Sequence, residues 1–119
     1  MTLLQQAWLN VTASSVEGWS IVVMEAAACR TPTVAMRVGG LREAVVDGTT
    51  GVLADSQEQL TSSIAEVLSD SAMRERMAQA ARDRSVQFSW ERTAAKTIDV
   101  LRAAVETGGT VRSAGGSAA

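Results

Sequence analysis

Two carboxylates of this 119-residue chain, Glu17 and Glu25, occupy positions from which they could bind a ligand. Glu17 follows a short run of β-forming residues, 9–14, and ligands of open α/β sheets bind outside the carboxyl ends of the strands. Residues 18–20 then lead into a predicted helix, whose free N–H groups and dipole attract phosphate. Together these features suggest a site for a phosphorylated ligand, although a loop glutamate considered alone is more commonly solvated.

Glu25 is the one charged residue in an otherwise apolar helix predicted over residues 21–29. A helix that is apolar on nearly all sides is expected to be buried, and a buried carboxylate needs several hydrogen-bond donors. Vicinal hydroxyls of a sugar or ribose are one suitable set of donors. A backbone N–H, or an arginine such as Arg37 or Arg42, is the other. The helix pattern alone favours neither.

Composition excludes several classes of function. The chain has no histidine, which removes Ser-His-Asp and Cys-His nucleophile systems and histidine-ligated metal sites. Its single cysteine, Cys29, excludes an intrachain disulfide framework and is predicted to be a small core residue. A net charge of −2, with one phenylalanine, three tryptophans and no tyrosine, argues against nucleic acid as a partner.

The N-terminal residues lack a signal-peptide pattern, and no apolar run approaches the roughly 20 residues of a membrane span. We therefore predict a cytoplasmic protein without a transmembrane segment.

The order of predicted elements indicates an α/β fold with parallel strands. Strands are expected at 9–14, 33–36 and 52–54, and helices at 2–8, 21–29, 41–46, 57–69, 72–87 and 89–106. We expect one domain over 1–106, a partial Rossmann-like domain with about three strands, and a disordered tail over 107–119. A short parallel sheet leaves an unpaired edge, so the chain is predicted to be the end of something larger, with an apolar surface near Leu3, Leu4 and Trp8.

The stretch EGWSIVVMEAAACRTPTVAMRVGGLREAVVDGTTGVL, which starts at Glu17, resembles the C-terminal signature of retaining glycosyltransferases of family 4, also called group 1. The similarity covers residues 13–54 and continues more loosely over 88–94. It implies the GT-B fold, in which two Rossmann-like domains face a cleft and the C-terminal one holds the nucleotide-sugar donor.

The resemblance also implies a role for each residue of the candidate site. Glu17, as the catalytic residue, would contact hydroxyls of the transferred sugar. Backbone amides around Gly18, Trp19 and Ser20 would line that sugar, and those of Ile21 and Val22 would meet the diphosphate. Glu25 would accept hydrogen bonds from the ribose hydroxyls.

The implied function is donor binding in a retaining enzyme that transfers a hexose from a UDP- or GDP-sugar, without a metal or other cofactor. The missing acceptor-binding part would be an N-terminal domain or a separate chain, so the chain alone is expected to be inactive. The complete enzyme would be cytoplasmic, with peripheral membrane contact as an option. The alternative is a non-catalytic nucleotide-sugar or partner-binding subunit, or an inactive fragment.

The sequence departs from the family pattern in two places of this stretch. Ser20 replaces a frequent glycine but can still cap the helix. Arg30 stands where glycine suits a left-handed backbone, at a cost on the order of 1 kcal/mol. The family's diphosphate-clamping basic residues fall outside this chain, and Arg37 and Arg42 are interpreted as surface or loop ion pairs.

The arginines over residues 74–84 and the aromatic residues Phe88 and Trp90 are interpreted as structural. The arginines over residues 74–84 are predicted to lie on a solvated helix face. Phe88 and Trp90 are expected to pack the closing helix.

Overall fold

The computed structural model describes the backbone of residues 2–115 and the side chains of residues 3–107. The chain divides into two compact units, Met1–Gln87 and Phe88–Ala119. The first unit carries the candidate site.

The first unit is a three-stranded parallel sheet with helices, as the alternating sequence pattern predicts. Its strands are β1 (Asn10–Thr12), β2 (Thr33–Met36) and β3 (Gly51–Ala54), in the order β1-β2-β3. Val34 of β2 pairs with Val11 on one side and with Val52 on the other. The helices are α1 (Thr2–Gln6), α2 (Ile21–Ala28), α3 (Leu41–Ala44), α4 (Gln57–Ser69) and α5 (Ser71–Ser85).

The two faces of the sheet belong to different core clusters, because consecutive strand residues point to opposite faces. Ala35 packs in a cluster with residues of α2, α3 and β3: Val23, Leu41, Ala44, Val45 and Leu53. Its neighbour Val34 packs with residues of β3, α4 and α5: Ala54, Leu60, Val67 and Met77. The sheet thus places α2 and α3 on one side and α4 on the other.

Local signals set the ends of the helices. Ser56 caps α4 by accepting a hydrogen bond from the Gln59 N–H at 3.1 Å, and Asp70 caps α5 through the Met73 N–H at 2.9 Å. Gly48 has the predicted left-handed backbone, with a φ of 77°, but α3 ends earlier than predicted, at Ala44, because the extended Val45 caps it.

The second unit contains α6 (Trp90–Gly115), which Ser89 begins by accepting from the Arg92 N–H at 3.2 Å. The disordered tail expected over 107–119 stays a prediction. The helical backbone continues over 107–115, since each further turn needs only local hydrogen bonds, and residues 116–119 lie outside the described part. Trp90 is 85 % exposed, so its expected packing role is not observed.

None of the helices in the described part of the chain is both long and apolar enough to cross a membrane.

Leu41 tests the core on the α2 side of the sheet, since its side chain is fully buried. We expect Leu41→Ala to lower the free energy of unfolding by about 2–5 kcal/mol, because it removes apolar contacts and leaves a cavity. Leu3→Ala, at a position that is largely exposed, is the control and should change it by less than about 0.5 kcal/mol. Urea unfolding followed by circular dichroism measures both, and equal losses would contradict the core assignment.

Candidate functional site

The loops that follow β1 and β2 touch each other through their main chains. The Gly40 N–H donates a hydrogen bond to the Glu17 carbonyl oxygen at 3.0 Å. A Cβ at Gly39 would overlap that same oxygen, and a Cβ at Gly40 would lie 2.6 Å from the Trp19 nitrogen. Only residues without a side chain allow this approach, so the Gly39–Gly40 pair holds the Glu17 loop in place.

This contact is a part of the site that sequence reasoning missed. The pair Gly39–Gly40 is predicted from the sequence only as the turn after β2. The position of the pair after β2 could have indicated the contact, because the carboxyl ends of neighbouring parallel strands lie at the same edge of the sheet.

The start of α2 lies directly after this loop, and Ser20 caps it as predicted. The buried Ser20 side chain accepts a hydrogen bond from the Val23 N–H at 3.4 Å, with the serine backbone extended. Ile21 and Val22 are the first helical residues, so no preceding turn supplies carbonyl partners for their N–H groups. Their side chains are 66 % and 50 % exposed, which leaves this helix end open to solvent.

Glu25 differs from the sequence-based expectation, because its side chain is exposed rather than buried. Only Val23, Ala26 and Ala27 of α2 are buried. The reason is that the chain covers one side of α2, although the helix is apolar on nearly all sides. Solvent therefore satisfies Glu25 here, and an internal arginine partner is not required.

The exposed face of α2 nevertheless places Glu25 in line with the helix start. Residues four apart share a helix face, so Glu25 lies on the same side as Ile21 and about 6 Å further along the axis. Glu17 is half-buried, while Gly18 and Trp19 are exposed beside it. Of the predicted site residues, Gly18, Trp19, Ile21, Val22 and Glu25 are thus exposed, Glu17 is half-buried and Ser20 is buried.

Arg37 is not available to Glu25, because it forms two ion pairs at the ends of β2 and β3. Its guanidinium contacts Asp47 at 2.7 Å and Asp55 at 2.9 Å, and it also donates to the Leu53 carbonyl at 3.2 Å. This confirms the interpretation of Arg37 as a loop ion pair. Arg42 donates to the Arg37 carbonyl at 3.4 Å.

Asp47 ties the same network to the outer edge of β3. One carboxylate oxygen accepts from the Leu53 N–H at 2.9 Å, and the other contacts Arg37. The Leu53 N–H and then the Arg37 guanidinium hold the pKa of Asp47 below its usual range. The hydrogen bond to Asp47 in turn raises the pKa of Arg37.

Three of the four arginines of α5 differ from their predicted role as a solvated face, whereas Arg76 is exposed as predicted. Arg74 donates to the carbonyls of Val67 and Leu68 at 3.1 and 2.8 Å and lies 4.6 Å from the Trp8 ring. Arg82 donates to the Ala28 carbonyl and Arg84 to the Glu43 carbonyl. The sequence could not show these bonds, because their acceptors are main-chain oxygens of other elements.

An open depression of about 770 Å³ lies beside this network, but none of the predicted site residues lines it. Arg37 and Asp47 in its wall are paired with each other. Among the described residues, no group of three or more His, Cys, Asp or Glu side chains is arranged to hold a metal ion.

The family profile described as "Glycosyl transferases group 1" matches residues 1–84. This chain belongs to the group 1 glycosyltransferases. D-inositol 3-phosphate glycosyltransferase of Kribbella flavida is 41 % identical over 93 residues, which cover 76 % of this chain and 22 % of that protein. The protein of the same name from an Arthrobacter species is 43 % identical over 98 residues, which cover 81 % of this chain and 23 % of that protein.

Solved structures show the same fold as this glycosyltransferase chain. Sucrose-phosphate synthase from Thermosynechococcus elongatus aligns with a TM-score of 0.72 and 31 % identity, over 82 % of this chain and 26 % of that one. HepE of Anabaena, in complex with UDP, aligns with a TM-score of 0.75 and 23 % identity, over 85 % and 29 % of the two chains. The predicted GT-B architecture is therefore confirmed, and the chain spans about a quarter of the length of these relatives.

The contact between the two loops can be tested at Gly40, whose φ of −67° suits any residue. We expect Gly40→Ala to displace residues 17–19 and to lower the midpoint of thermal unfolding by several degrees, since its Cβ would overlap main-chain atoms. Gly18→Ala is the control, because its added Cβ would meet open space. Amide NMR shifts and thermal scans check both variants, and a Gly40→Ala protein with wild-type shifts at 17–19 contradicts the assignment.

Asp47 is expected to make the free energy of unfolding depend on pH in the acidic range. A carboxyl whose pKa is lowered by folding stabilises the protein above its unfolded pKa of about 3.9, and this contribution disappears as the pH falls through the folded value. Asp47→Asn should therefore be less stable than the wild type at pH 7, and the difference should shrink in acid. Urea unfolding as a function of pH measures this, with the exposed Glu66→Gln as control. A difference that is constant with pH would argue against the Asp47 assignment.

Proposed function

We propose that this chain is the donor-binding part of a retaining glycosyltransferase that transfers a hexose from a UDP- or GDP-sugar to an acceptor. One observation carries the proposal. The loop that carries Glu17 follows the carboxyl end of β1 and leads into α2, on which Ile21, Val22 and Glu25 are exposed. HepE, a protein of the same fold, was solved with UDP and with UDP-glucose, which supports a donor of this class.

The N-terminus of α2 is proposed to bind the diphosphate. The N–H groups of Ile21 and Val22 have no helical acceptors and can donate to phosphate oxygens, and the helix dipole favours negative charge there. These donors are in place before the reaction begins. They can stabilise the charge that develops on the leaving diphosphate, and the proposal includes no metal ion.

Glu25 is proposed to accept hydrogen bonds from the ribose hydroxyls of the nucleotide. Its position about 6 Å along the helix from Ile21 separates it from the phosphate-binding amides by about one helical turn. Its exposure in this chain leaves both carboxylate oxygens open to a ligand.

Glu17 is proposed to contact the hydroxyls of the transferred sugar. The Gly40 N–H holds its carbonyl, so the backbone is fixed while the half-buried side chain remains accessible. The amides around Gly18, Trp19 and Ser20 would line the same sugar. In the transfer, the bond from the anomeric carbon to the diphosphate breaks, and its electron pair leaves with the nucleoside diphosphate. An acceptor oxygen bonds to that carbon on the same face and loses its proton.

The acceptor-binding part is proposed to be an N-terminal domain or a separate chain, because this chain spans about a quarter of its relatives. The exposed apolar side chains Leu3, Trp8 and Val11 offer a surface for it. We propose that the complete enzyme is cytoplasmic, where the free Cys29 needs no disulfide partner.

The same exposed surface favours one alternative, a non-catalytic subunit that binds a nucleotide sugar and a partner chain. The intact mass of the protein made in its own cells distinguishes the two, after capture by an antibody against residues 14–25. A species several times heavier than 12.5 kDa indicates a single-chain transferase. A species of that mass without a co-purifying acceptor-binding chain would contradict the transferase proposal.

Glu25→Ala tests the proposed ribose contact. Two hydrogen bonds to a charged group contribute on the order of 1.5–3 kcal/mol each, so donor affinity should fall at least about tenfold. Calorimetric titration of UDP-glucose and of a GDP-hexose into wild type and variant measures this.

The matched control for this titration is Glu66→Ala, which removes an exposed carboxylate from α4. It should bind the donor like the wild type. Unchanged affinity in Glu25→Ala would overturn the assignment of Glu25, and a wild-type protein that binds neither donor would overturn the proposed function.

A further inference from the structure

The C-terminal end of α2 is closed by a left-handed arginine. The Thr31 N–H donates to the Ala26 carbonyl at 2.9 Å, and the Arg30 N–H donates to the Ala27 carbonyl at 3.0 Å. This is the Schellman arrangement, in which glycine usually occupies the left-handed position. Here Arg30 occupies it with a φ of 62°.

Two arginines join this helix end to α5 in opposite directions. The Arg30 guanidinium, from the α2 side, forms an ion pair with Glu75 of α5. The Arg82 guanidinium, from the α5 side, donates to the Ala28 carbonyl at 2.9 Å. Both place positive charge where the helix dipole is negative.

A gain in the free energy of unfolding does not explain why position 30 holds arginine rather than glycine. A non-glycine residue in the left-handed region is unfavourable, and an ion pair with side chains that are 48 % and 69 % exposed compensates little for it. Glycine would close the helix without this strain. The contribution of the side chain is therefore the specific link to α5.

That link matters because the buried face of α2 is smooth. Beyond Val23, the buried residues of α2 are the alanines Ala26 and Ala27, and α5, which packs against α2, buries Ala78 and Ala81 together with Met77. Short methyl groups interlock weakly, so they oppose sliding of one helix along another less than long side chains do. The polar contacts at the C-terminal end of α2 add directional bonds to the packing of Val23 in the core cluster.

We propose that Arg30 and Arg82 are positioning residues for the donor site. They anchor the far end of α2 to α5 and thereby keep the Ile21 and Val22 amides level with the Glu17 loop. This inference rests on the proposed function, since it assigns these residues a role in donor affinity although neither lies at the site.

The test compares the double variant Arg30→Gly/Arg82→Ala with the wild type by amide hydrogen exchange. We expect exchange at residues 23–25 to become at least about threefold faster, while the amides in the middle of α4 keep their rates. The variant Arg30→Gly/Arg82→Lys should exchange more slowly than Arg30→Gly/Arg82→Ala, because an ammonium group can also donate to the Ala28 carbonyl. Arg76→Ala, which removes an exposed arginine of the same helix, is the matched control.

A second measurement is the affinity for UDP under conditions in which every variant is folded. The double variant should bind UDP about tenfold more weakly, since a small displacement of the Ile21 and Val22 amides weakens their hydrogen bonds to the diphosphate. Equal UDP affinity in both proteins, unchanged exchange at 23–25, or uniform acceleration in α2 and α4 would each overturn the positioning role.

The two proposals fail in different ways. If the wild type does not bind UDP, the proposed function is wrong, while the exchange data still decide whether Arg30 and Arg82 position α2. If the double variant does not fold, Arg30→Gly carries the test, since glycine suits the local backbone and only the link to Glu75 is removed.

Discussion

The candidate site depends on one main-chain contact, the hydrogen bond from the Gly40 N–H to the Glu17 carbonyl. It joins the loops that follow β1 and β2, and it exists only because neither glycine of the pair carries a side chain. The parallel sheet brings the two loops to the same edge, and the contact then fixes the chain that leads into α2. The position of the Glu17 main chain, from which residues 18–20 lead into α2, follows from this contact.

The second constraint is that α2 belongs to two environments. One side is buried through Val23, Ala26 and Ala27, while Ile21, Val22 and Glu25 face solvent. Burial secures the helix against the sheet and α5, and exposure leaves its N-terminal end open for a ligand.

Several arginines of the described residues join one element to another. Arg37 links the ends of β2 and β3 through Asp47 and Asp55, and Arg74 and Arg82 donate to carbonyls at the ends of α4 and α2. Each of these guanidinium groups donates hydrogen bonds to oxygen atoms that belong to another segment of the chain. Because these arginines already have partners, the groups proposed to bind the diphosphate are backbone amides.

The sequence by itself determined the local structure and the family. The bounds of β2 and α4 match their predicted ranges, because periodicity and capping act between residues close in the chain. Ser20, Gly48 and Arg30 likewise adopt the predicted local conformations. Tertiary structure alone decided the exposure of Glu25, the approach of Gly40 to Glu17 and the acceptor of Arg82. These three features depend on which distant segment covers or meets a residue, and that information is absent from any local pattern.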